Sequence, residues 1–220
     1  MNITDNIFNY IILLMPQVLE GLEITLKLFA LTLLFSIPLG ILLAVGRLSR
    51  FKVIKTLCSI YITIIRGTPL LLQIVFVFFG LPLVGITFDR FPAALFAFSL
   101  NYGAYFAEIF RAGIASIDEG QYEGAFVLGF SKFEMYRKII FPQVIKRVLP
   151  AMSNEIITLI KDTSIVYAIG LNDILRIAQI AQNQQASIMP LMQAGVIYLV
   201  LIAILTQLLR KIENKYAYYR

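Results

Sequence analysis

The chain has 220 residues, of which 59% are hydrophobic and 15% are charged, and its formal net charge is +6. Soluble domains are about half apolar and a quarter charged, so this composition indicates an integral membrane protein. The single cysteine, Cys58, excludes an intramolecular disulfide framework, and the lack of histidine removes the commonest metal ligand and general base. No Walker-type glycine-rich loop is present, so we expect no ATP site, metal or other cofactor in this chain.

The first segment, residues 1–20, is apolar but short and contains Pro16. It lacks the basic start of a signal peptide, so we expect it to stay on the mature protein. An interfacial helix is the favoured interpretation of this N-terminal segment. A sixth membrane span is the alternative.

Five further segments are each long and apolar enough to cross the hydrocarbon core as a helix, which takes about 20 residues. Pro38 in the first segment and Pro69 in the second predict kinks in those helices. We therefore expect an all-α integral membrane fold, with residues 1–220 forming a single transmembrane domain. The predicted spans are about 22–46, 57–80, 92–112, 148–168 and 190–209.

Positive charge is divided unevenly between the two sides that these spans define. The side carrying 1–21, 81–91 and 169–189 has only Arg90 and Arg176. Since cytoplasmic loops carry the excess of Lys and Arg, we expect a multi-pass protein of the cell (cytoplasmic) membrane with its N-terminus outside and its C-terminus in the cytoplasm. A nucleic-acid role is not expected. The cations of the other side are Arg47, Arg50, Lys52, Lys55, Arg111, Lys132, Arg137, Lys138, Lys146, Arg147, Arg210, Lys211, Lys215 and Arg220.

Two spans each carry a stripe of polar residues along one helical face. Ionisable groups at membrane depth cost about 2.5–3.5 kcal/mol each, so they are functional candidates. We expect the stripes to face each other and to line a water-accessible path. The alternatives are interhelical bonds that only hold the bundle together, and solvation of Glu108 and Glu155 near the inner headgroups. The stripes are Asn101, Tyr105 and Glu108 in the third span and Glu155, Thr158 and Asp162 in the fourth.

The segment 116–142, between the third and fourth spans, is predicted to be a cytoplasmic helix, turn and helix. Asp118 or Ser116 is expected to N-cap a helix that starts near Glu119, and Gly129 is expected to end it or to let a partner's backbone approach. The first half of the segment contains acids and no cation, whereas a helix bound to anionic lipid would carry Lys and Arg. Docking to a protein is therefore favoured over an amphipathic helix lying on the membrane.

Four ordered motifs carry a family resemblance. The run from Glu123 through Gly129 to Pro142 resembles the EAA motif of the transmembrane subunits of bacterial ABC importers. The stretches RGTPLLLQ at 66–73, YFAEIFR at 105–111 and KDTS at 161–164 look like signatures of the polar amino acid permeases, the histidine, glutamine and arginine group. The resemblance covers most of the chain, about residues 15–212.

The resemblance implies a type I importer permease that does no chemistry of its own. The EAA segment would form a coupling helix seated in a groove of a cytoplasmic ABC ATPase, present in two copies and binding the ATP and Mg. A second permease subunit, expected to be another copy of this chain, an extracytoplasmic amino acid binding protein and membrane lipid complete the implied partners. ATP-driven alternating access would then move a polar amino acid into the cell. The coupling residues are Glu123, Gly124, Ala125, Leu128 and Gly129.

One coupling position departs from the family pattern, since Gly124 stands where alanine is usual. Glycine inside a helix costs about 0.8–1 kcal/mol relative to alanine, so a less rigid coupling helix is expected.

The sequence predicts the type of transporter more precisely than it predicts the substrate. Acids outnumber bases among the predicted path residues, which favours a cationic amino acid (arginine, lysine or histidine), and glutamine or another polar amino acid stays open. A stand-alone secondary transporter or channel is the rival function, whereas a membrane enzyme would need a nucleophile–base pair or a metal cluster. The predicted path residues are Arg66, Thr68, Gln73, Asn101, Tyr105, Glu108, Glu155, Thr158, Lys161, Asp162 and Ser164.

Overall fold

Helices account for every regular element of the chain between residues 3 and 216, the range that the computed structural model describes, with side chains from residue 15 onward. No strand occurs in that range, in agreement with the predicted all-α class. The helices are α1 (Ile3–Arg47), α2 (Lys52–Arg66), α3 (Leu70–Val75), α4 (Arg90–Ala115), α5 (Glu119–Val127), α6 (Lys132–Met135), α7 (Phe141–Asp162), α8 (Ile174–Gln185) and α9 (Met189–Tyr216).

Three helices continue into segments of different pitch. A π-helical segment, Phe76–Gly80, and a 3-10 helix, Leu81–Val84, follow α3. Another π-helical segment, Tyr136–Ile140, joins α6 to α7 without a break. The 3-10 helix Thr163–Ile169 extends α7.

The chain divides into two compact units. Unit 1 comprises Met1–Leu34, Pro69–Phe98 and Ile157–Leu205. Unit 2 comprises Phe35–Thr68, Ser99–Ile156 and Thr206–Arg220.

In unit 1, α8 packs against the first half of α1 and against α9. Val18, Ile177 and Ala181 form one buried cluster. Ile174 and Ala194 belong to another, together with Ala178. These contacts anchor a helix in the segment 169–189, where the sequence analysis predicts only a connection between spans.

Unit 2 depends on close approaches between helices at two glycines. A Cβ atom on Gly40 of α1 would lie 2.7 Å from the Cβ of Phe106 on α4, and one on Gly113 of α4 would collide with Val148 of α7. A larger residue at either position would push the helices apart, because cores at native density cannot absorb an added methyl group without strain. The two glycines therefore allow α4 to pack tightly against α1 and α7.

The N-terminal half of the fold differs from its predicted boundaries. The prediction separates an interfacial segment, 1–20, from a first span, whereas α1 runs without interruption through Pro16 and Pro38. The predicted second span is interrupted rather than merely kinked, since α2 ends at Arg66 and α3 begins at Leu70. Pro69 lacks an N–H group and disfavours helical geometry at the residue before it, so the helix stops there.

The predicted count of five spans is not reproduced by helix length and hydropathy. Within the described part of the chain, Met15–Arg47 and Met189–Tyr216 are long and apolar enough to cross a membrane. The number rises to four if each of two bent pairs is one span, namely Lys52–Arg66 with Leu70–Val84 and Lys132–Ile169 with Ile174–Gln185.

The helix α4, which contains the predicted third span, is absent from that group although it has 26 residues. Its polar residues lower its hydropathy, and much of its surface is covered by protein, with Phe98, Tyr102 and Phe106 at most 1% exposed. A helix that contacts protein rather than lipid does not need to be apolar on every side.

Candidate functional site

A pocket with a volume of about 350 Å³ lies within unit 2. The end of α2, the second half of α4 and the middle of α7 supply its walls. Residues from both predicted polar stripes, Glu108 on α4 and Glu155 on α7, line this pocket. The lining residues are Arg66, Tyr105, Glu108, Ile109, Ala112, Gly113, Ser116, Arg147, Val148, Ala151 and Glu155.

Arg66 is held at one wall of this pocket by an aromatic ring. Its guanidinium lies 5.1 Å from the centre of the Tyr105 ring, within the range of a cation–π interaction. Arg66 also ends α2, where the helix dipole favours a positive charge. These interactions position the side chain of Arg66, an exposed residue, at the wall of the pocket.

Glu108 is tied to two arginines. The Nε of Arg111, one turn further along α4, lies 3.1 Å from each carboxylate oxygen of Glu108. Arg47, at the end of α1, also donates a hydrogen bond to this carboxylate and forms an ion pair with it. The alternative that such polar groups hold the bundle together therefore applies to Glu108, whose charge is offset from two sides.

Arg147 was not among the predicted path residues, although it lines the pocket. Its Nη1 donates a hydrogen bond to the carbonyl oxygen of Ser116, which links α7 to the end of α4. Its position two turns before Glu155 on the same helix is a sequence signal that would have suggested it.

The charge of the pocket differs from the predicted excess of acid. Two arginines, Arg66 and Arg147, line it together with two glutamates, Glu108 and Glu155. Because Arg47 and Arg111 fold back onto Glu108, no acid excess exists in this pocket. The argument for a cationic substrate loses that support.

The other predicted path residues lie outside the lining of this pocket. Thr68 and Asn101 belong to unit 2, where Asn101 is buried and the Thr68 hydroxyl donates to the Ile64 carbonyl at 2.9 Å. In unit 1, the Ser164 hydroxyl donates to the Lys161 carbonyl at 2.7 Å, where α7 changes into its 3-10 extension. The remaining unit 1 residues of the predicted path are Gln73, Thr158, Lys161 and Asp162.

The predicted coupling segment is a helix, turn and helix with defined ends. Asp118 caps α5, accepting a hydrogen bond from the Gly120 N–H at 2.7 Å, and α5 starts at Glu119 as expected. Gly129 has a φ of +77°, the left-handed geometry that glycine adopts without strain. Its N–H donates to the Phe126 carbonyl.

The Phe130 N–H donates to the Ala125 carbonyl, and with the Gly129 bond this completes a Schellman motif at the end of α5. The start of α6 is equally well defined. Ser131 and Glu134 form a reciprocal capping box. Lys138 pairs with Glu134 at 2.9 Å, and these hydrogen bonds, that of Lys138 first and those of Ser131 next, lower the pKa of the Glu134 carboxyl to about 2.

The coupling segment exposes an apolar surface, which we call the tip: Phe126, Val127 and Leu128. Their exposed fractions are 81%, 83% and 74%. Glu123, one turn earlier, is also exposed. A run of large apolar side chains this exposed marks an interaction surface.

Two predicted coupling residues have other surroundings. Ala125 was expected to contribute to the contact face of the coupling helix. Its side chain is only 2% exposed, so it packs within its own chain. Val127 belongs to the exposed tip, although it is not among the predicted coupling residues. A Cβ atom added at Gly124 would meet no atom within 4 Å, so no neighbour requires glycine there.

The architecture is that of an all-helical protein with helices long and apolar enough to cross a membrane, and comparison with known proteins identifies its family. A family model described as the binding-protein-dependent transport system inner membrane component matches residues 36–218. The chain belongs to this family.

Individual relatives narrow the comparison. The chain is 44% identical to the arginine transport system permease protein ArtQ of Bacillus subtilis over 202 residues, 91% of this chain and 92% of ArtQ. It is 38% identical to the putative glutamine transport system permease protein GlnP of Rickettsia bellii over 213 residues, 94% and 98% of the two chains. A crystal structure of an amino acid ABC transporter with histidines matches with a TM-score of 0.88 and 37% identity, covering 94% of this chain and 98% of that one. These findings confirm the resemblance to amino acid ABC permeases that the four motifs carry.

Proposed function

We propose that this chain is the permease subunit of an ATP-driven importer of polar amino acids. The observation that carries the proposal is the exposed apolar tip beside Glu123, on a helix whose two ends are both closed by hydrogen bonds. A rigid, exposed segment suits docking to a motor subunit, because little conformational entropy has to be lost on binding. The family to which the chain belongs supports the same function.

In this proposal the partners are the ones that the sequence implies. Two copies of a cytoplasmic ABC ATPase hold ATP and Mg and receive the tip, and a second copy of this chain completes the membrane domain. An extracytoplasmic binding protein delivers the amino acid. ATP binding closes the ATPases, and the coupling segments transmit this closure to the spans.

The proposed topology keeps five spans in the cytoplasmic membrane, with the N-terminus outside and the C-terminus inside. The asymmetry of Lys and Arg supports this orientation. Single cysteines introduced into a Cys58→Ser background test it. We expect Gln184→Cys to react with an impermeant thiol reagent from outside and Lys215→Cys to react only after the membrane is permeabilised, and the opposite pattern would refute the orientation.

The unit 2 pocket is the proposed inner part of the substrate path. Its two arginines and two glutamates match the charges of a zwitterion, with Arg66 suited to an α-carboxylate and Glu155 to an amino group. The assignment of the other predicted path residues rests on the sequence motifs and, for Asn101 and Thr158, on the spacing of the polar stripes. ArtQ and GlnP are named for arginine and glutamine, and a B. subtilis relative, TcyB, for L-cystine at 35% identity over 91% of this chain and 86% of its own. Polar amino acids are therefore the proposed substrate class, and cationic ones are the first to test.

Reconstitution tests the function directly. Proteoliposomes containing the permease, its ATPase and internal ATP should accumulate an amino acid supplied with the binding protein, and liposomes with the permease alone should not. A panel of arginine, lysine, histidine, glutamine and cystine would identify the substrate. Uptake by the permease alone, driven by an ion gradient, would establish the rival stand-alone transporter.

The docking role of the coupling segment has its own test. Glu123→Arg reverses a charge beside the tip and should abolish co-purification of the ATPase, whereas Glu213→Arg, a charge reversal on α9, should not. Insertion into the membrane should be unaffected in both variants. Normal ATPase binding and uptake by the Glu123→Arg variant would contradict the role.

A further inference from the structure

Two arginines converge at one point on the surface of unit 1. The Nε of Arg90 and the Cζ of Arg176 lie 3.2 and 3.7 Å from the position that a Cβ atom on Gly170 would occupy. These two residues are also the only cations in the segments that the sequence analysis assigns to the extracytoplasmic side of the membrane.

The pair is positioned by the backbone at the end of the 3-10 helix Thr163–Ile169. Arg90 donates from Nε to the Ile169 carbonyl at 3.0 Å, and Arg176 donates from Nη1 to the Tyr167 carbonyl at 3.2 Å. Arg176 also donates from Nε to the side-chain oxygen of Asn172 at 3.1 Å. Each guanidinium has five N–H donors, so these neutral acceptors leave further donors available.

No carboxylate balances the two charges within the described residues. Neither Arg90 nor Arg176 takes part in an ion pair there. Asp173 is the acid nearest to Arg176 in sequence, and its carboxylate accepts hydrogen bonds from the backbone N–H groups of Leu175 and Arg176 and from the Tyr198 hydroxyl. Asp89 is adjacent to Arg90 and exposed, without an ion pair to it.

The bonds to the Ile169 and Tyr167 carbonyls cap the end of the 3-10 helix, a structural role that uses only some of the donors of each guanidinium. Arg90 begins α4, and Arg176 lies in the first turn of α8, where the helix dipole disfavours positive charge. Two like charges held this close also repel each other. A pair of fixed, uncompensated guanidiniums is well suited to bidentate binding of a carboxylate.

We propose that Arg90 and Arg176 form a receptor for a carboxylate side chain on the surface of the extracytoplasmic amino acid binding protein. A protein is favoured over a free amino acid because Arg90 is exposed at the surface and neither arginine lines the pocket of unit 2. This receptor role rests on the proposed function and on the proposed extracytoplasmic position of both arginines.

ATP hydrolysis by the complete reconstituted transporter, titrated with purified, amino acid-loaded binding protein, tests the proposal. Replacing both arginines (Arg90→Gln with Arg176→Gln) should raise the half-saturating concentration of binding protein about tenfold or more, with the maximal rate unchanged. Raising the salt from about 50 to 300 mM should weaken the wild type more than this double variant, because charge pairs at a rim are screened. Lys27→Gln, which removes another exposed cation of unit 1, is the matched control and should leave the titration unchanged.

Several results would overturn the proposal. They are an unchanged half-saturating concentration, a lower maximal rate alone, or a shift of the same size with Lys27→Gln. A shift in the half-saturating concentration of free amino acid, measured without the binding protein, would assign the pair to the substrate instead. A shift that depends on replacing neutral with anionic lipid would assign it to headgroups.

The conservative double variant, Arg90→Lys with Arg176→Lys, is the control for misfolding. It should recover part of the lost affinity, because it restores the two positive charges. If both double variants bind with the wild-type affinity in a pull-down on immobilised transporter, the receptor does not exist. If the wild-type transporter responds to no binding protein at all, the proposed function fails as well, which separates the two outcomes.

Discussion

Glu108 and Arg111 form a two-pronged ion pair on one face of α4, with the Nε of Arg111 at 3.1 Å from both oxygens of Glu108. Residues three apart on a helix are neighbours, so this pair is local, whereas the bond from Arg47 to the same carboxylate spans 61 residues. One carboxylate thus fastens the end of α1 to α4 within unit 2.

This arrangement predicts measurable coupling between the two side chains. A double-mutant cycle with Glu108→Gln and Arg111→Gln should give an interaction energy of about 0.5–1 kcal/mol, because both groups are still partly exposed. Thermal unfolding of the purified protein in detergent would supply the free energies. Glu213→Gln, which removes no ion pair among the described residues, should leave the stability unchanged, and additivity of the two single variants would contradict the coupling.

A second prediction concerns substrate selection. Glu155→Gln should raise the KM for a cationic amino acid about tenfold, on the order of 1.4 kcal/mol, and should change the KM for glutamine much less. Uptake by the reconstituted transporter measures both constants. Glu108→Gln is the comparison variant in the same pocket. Because two arginines already offset the charge of Glu108, this variant should change the selectivity between the two amino acids less. Equal effects of the two variants would show that Glu155 does not contact the substrate cation.

The third prediction is that Gly124→Ala makes α5 more stable. Open space surrounds the position, and alanine gains about 0.4–1 kcal/mol over glycine where the backbone geometry suits it. Amide hydrogen exchange in residues 119–128 should slow by a factor of about 2 to 5.

Gly129→Ala provides the contrast, since its φ of +77° is strained for alanine. This variant should speed exchange in the same residues by about tenfold, following a cost of 1–2 kcal/mol. Identical behaviour of the two variants would refute the assignment of Gly129 as the helix end.

The fourth prediction is the pH dependence of the α6 cap. The pKa of Glu134 is lowered from 4.5 to about 2 in the folded state. Its stabilising contribution is therefore complete above about pH 4.5 and is lost as the pH falls from there towards 2. The difference in amide exchange between wild type and Glu134→Gln at residues 131–134 should be constant from pH 7 to 5 and should shrink below that range, and a difference that vanishes near pH 6 would contradict it.

Local signals in the sequence were sufficient for much of the fold. The N-cap at Asp118 and the end at Gly129 follow from residue type alone, because a capping side chain and a left-handed turn are properties of a few neighbouring residues. Periodicity also assigned Glu108 and Glu155 to the polar faces of their helices, although it does not specify that those two helices meet. The four motifs gave the family.

Tertiary contacts account for what the sequence did not predict. The ion pair of Arg47 with Glu108 and the place of Arg147 in the pocket depend on which helices meet, and no periodicity encodes that. The sequence did not indicate that residues before 21 continue as one helix with the following span, because Pro16 is more often found at helix ends than inside helices. Ala125 was predicted to be a coupling residue, and the sequence did not indicate that its side chain is buried against its own chain.

The closed turn at Gly129 has a mechanical consequence for the coupling segment. Two backbone hydrogen bonds fasten the reversal, the next helix starts after only a few residues, and that helix passes through Tyr136–Ile140 into α7 without a break. A push against the tip therefore meets no slack loop in which the displacement would be lost. In the proposed transporter, a displacement of Phe126 by the ATPase would therefore move the start of α7 with it.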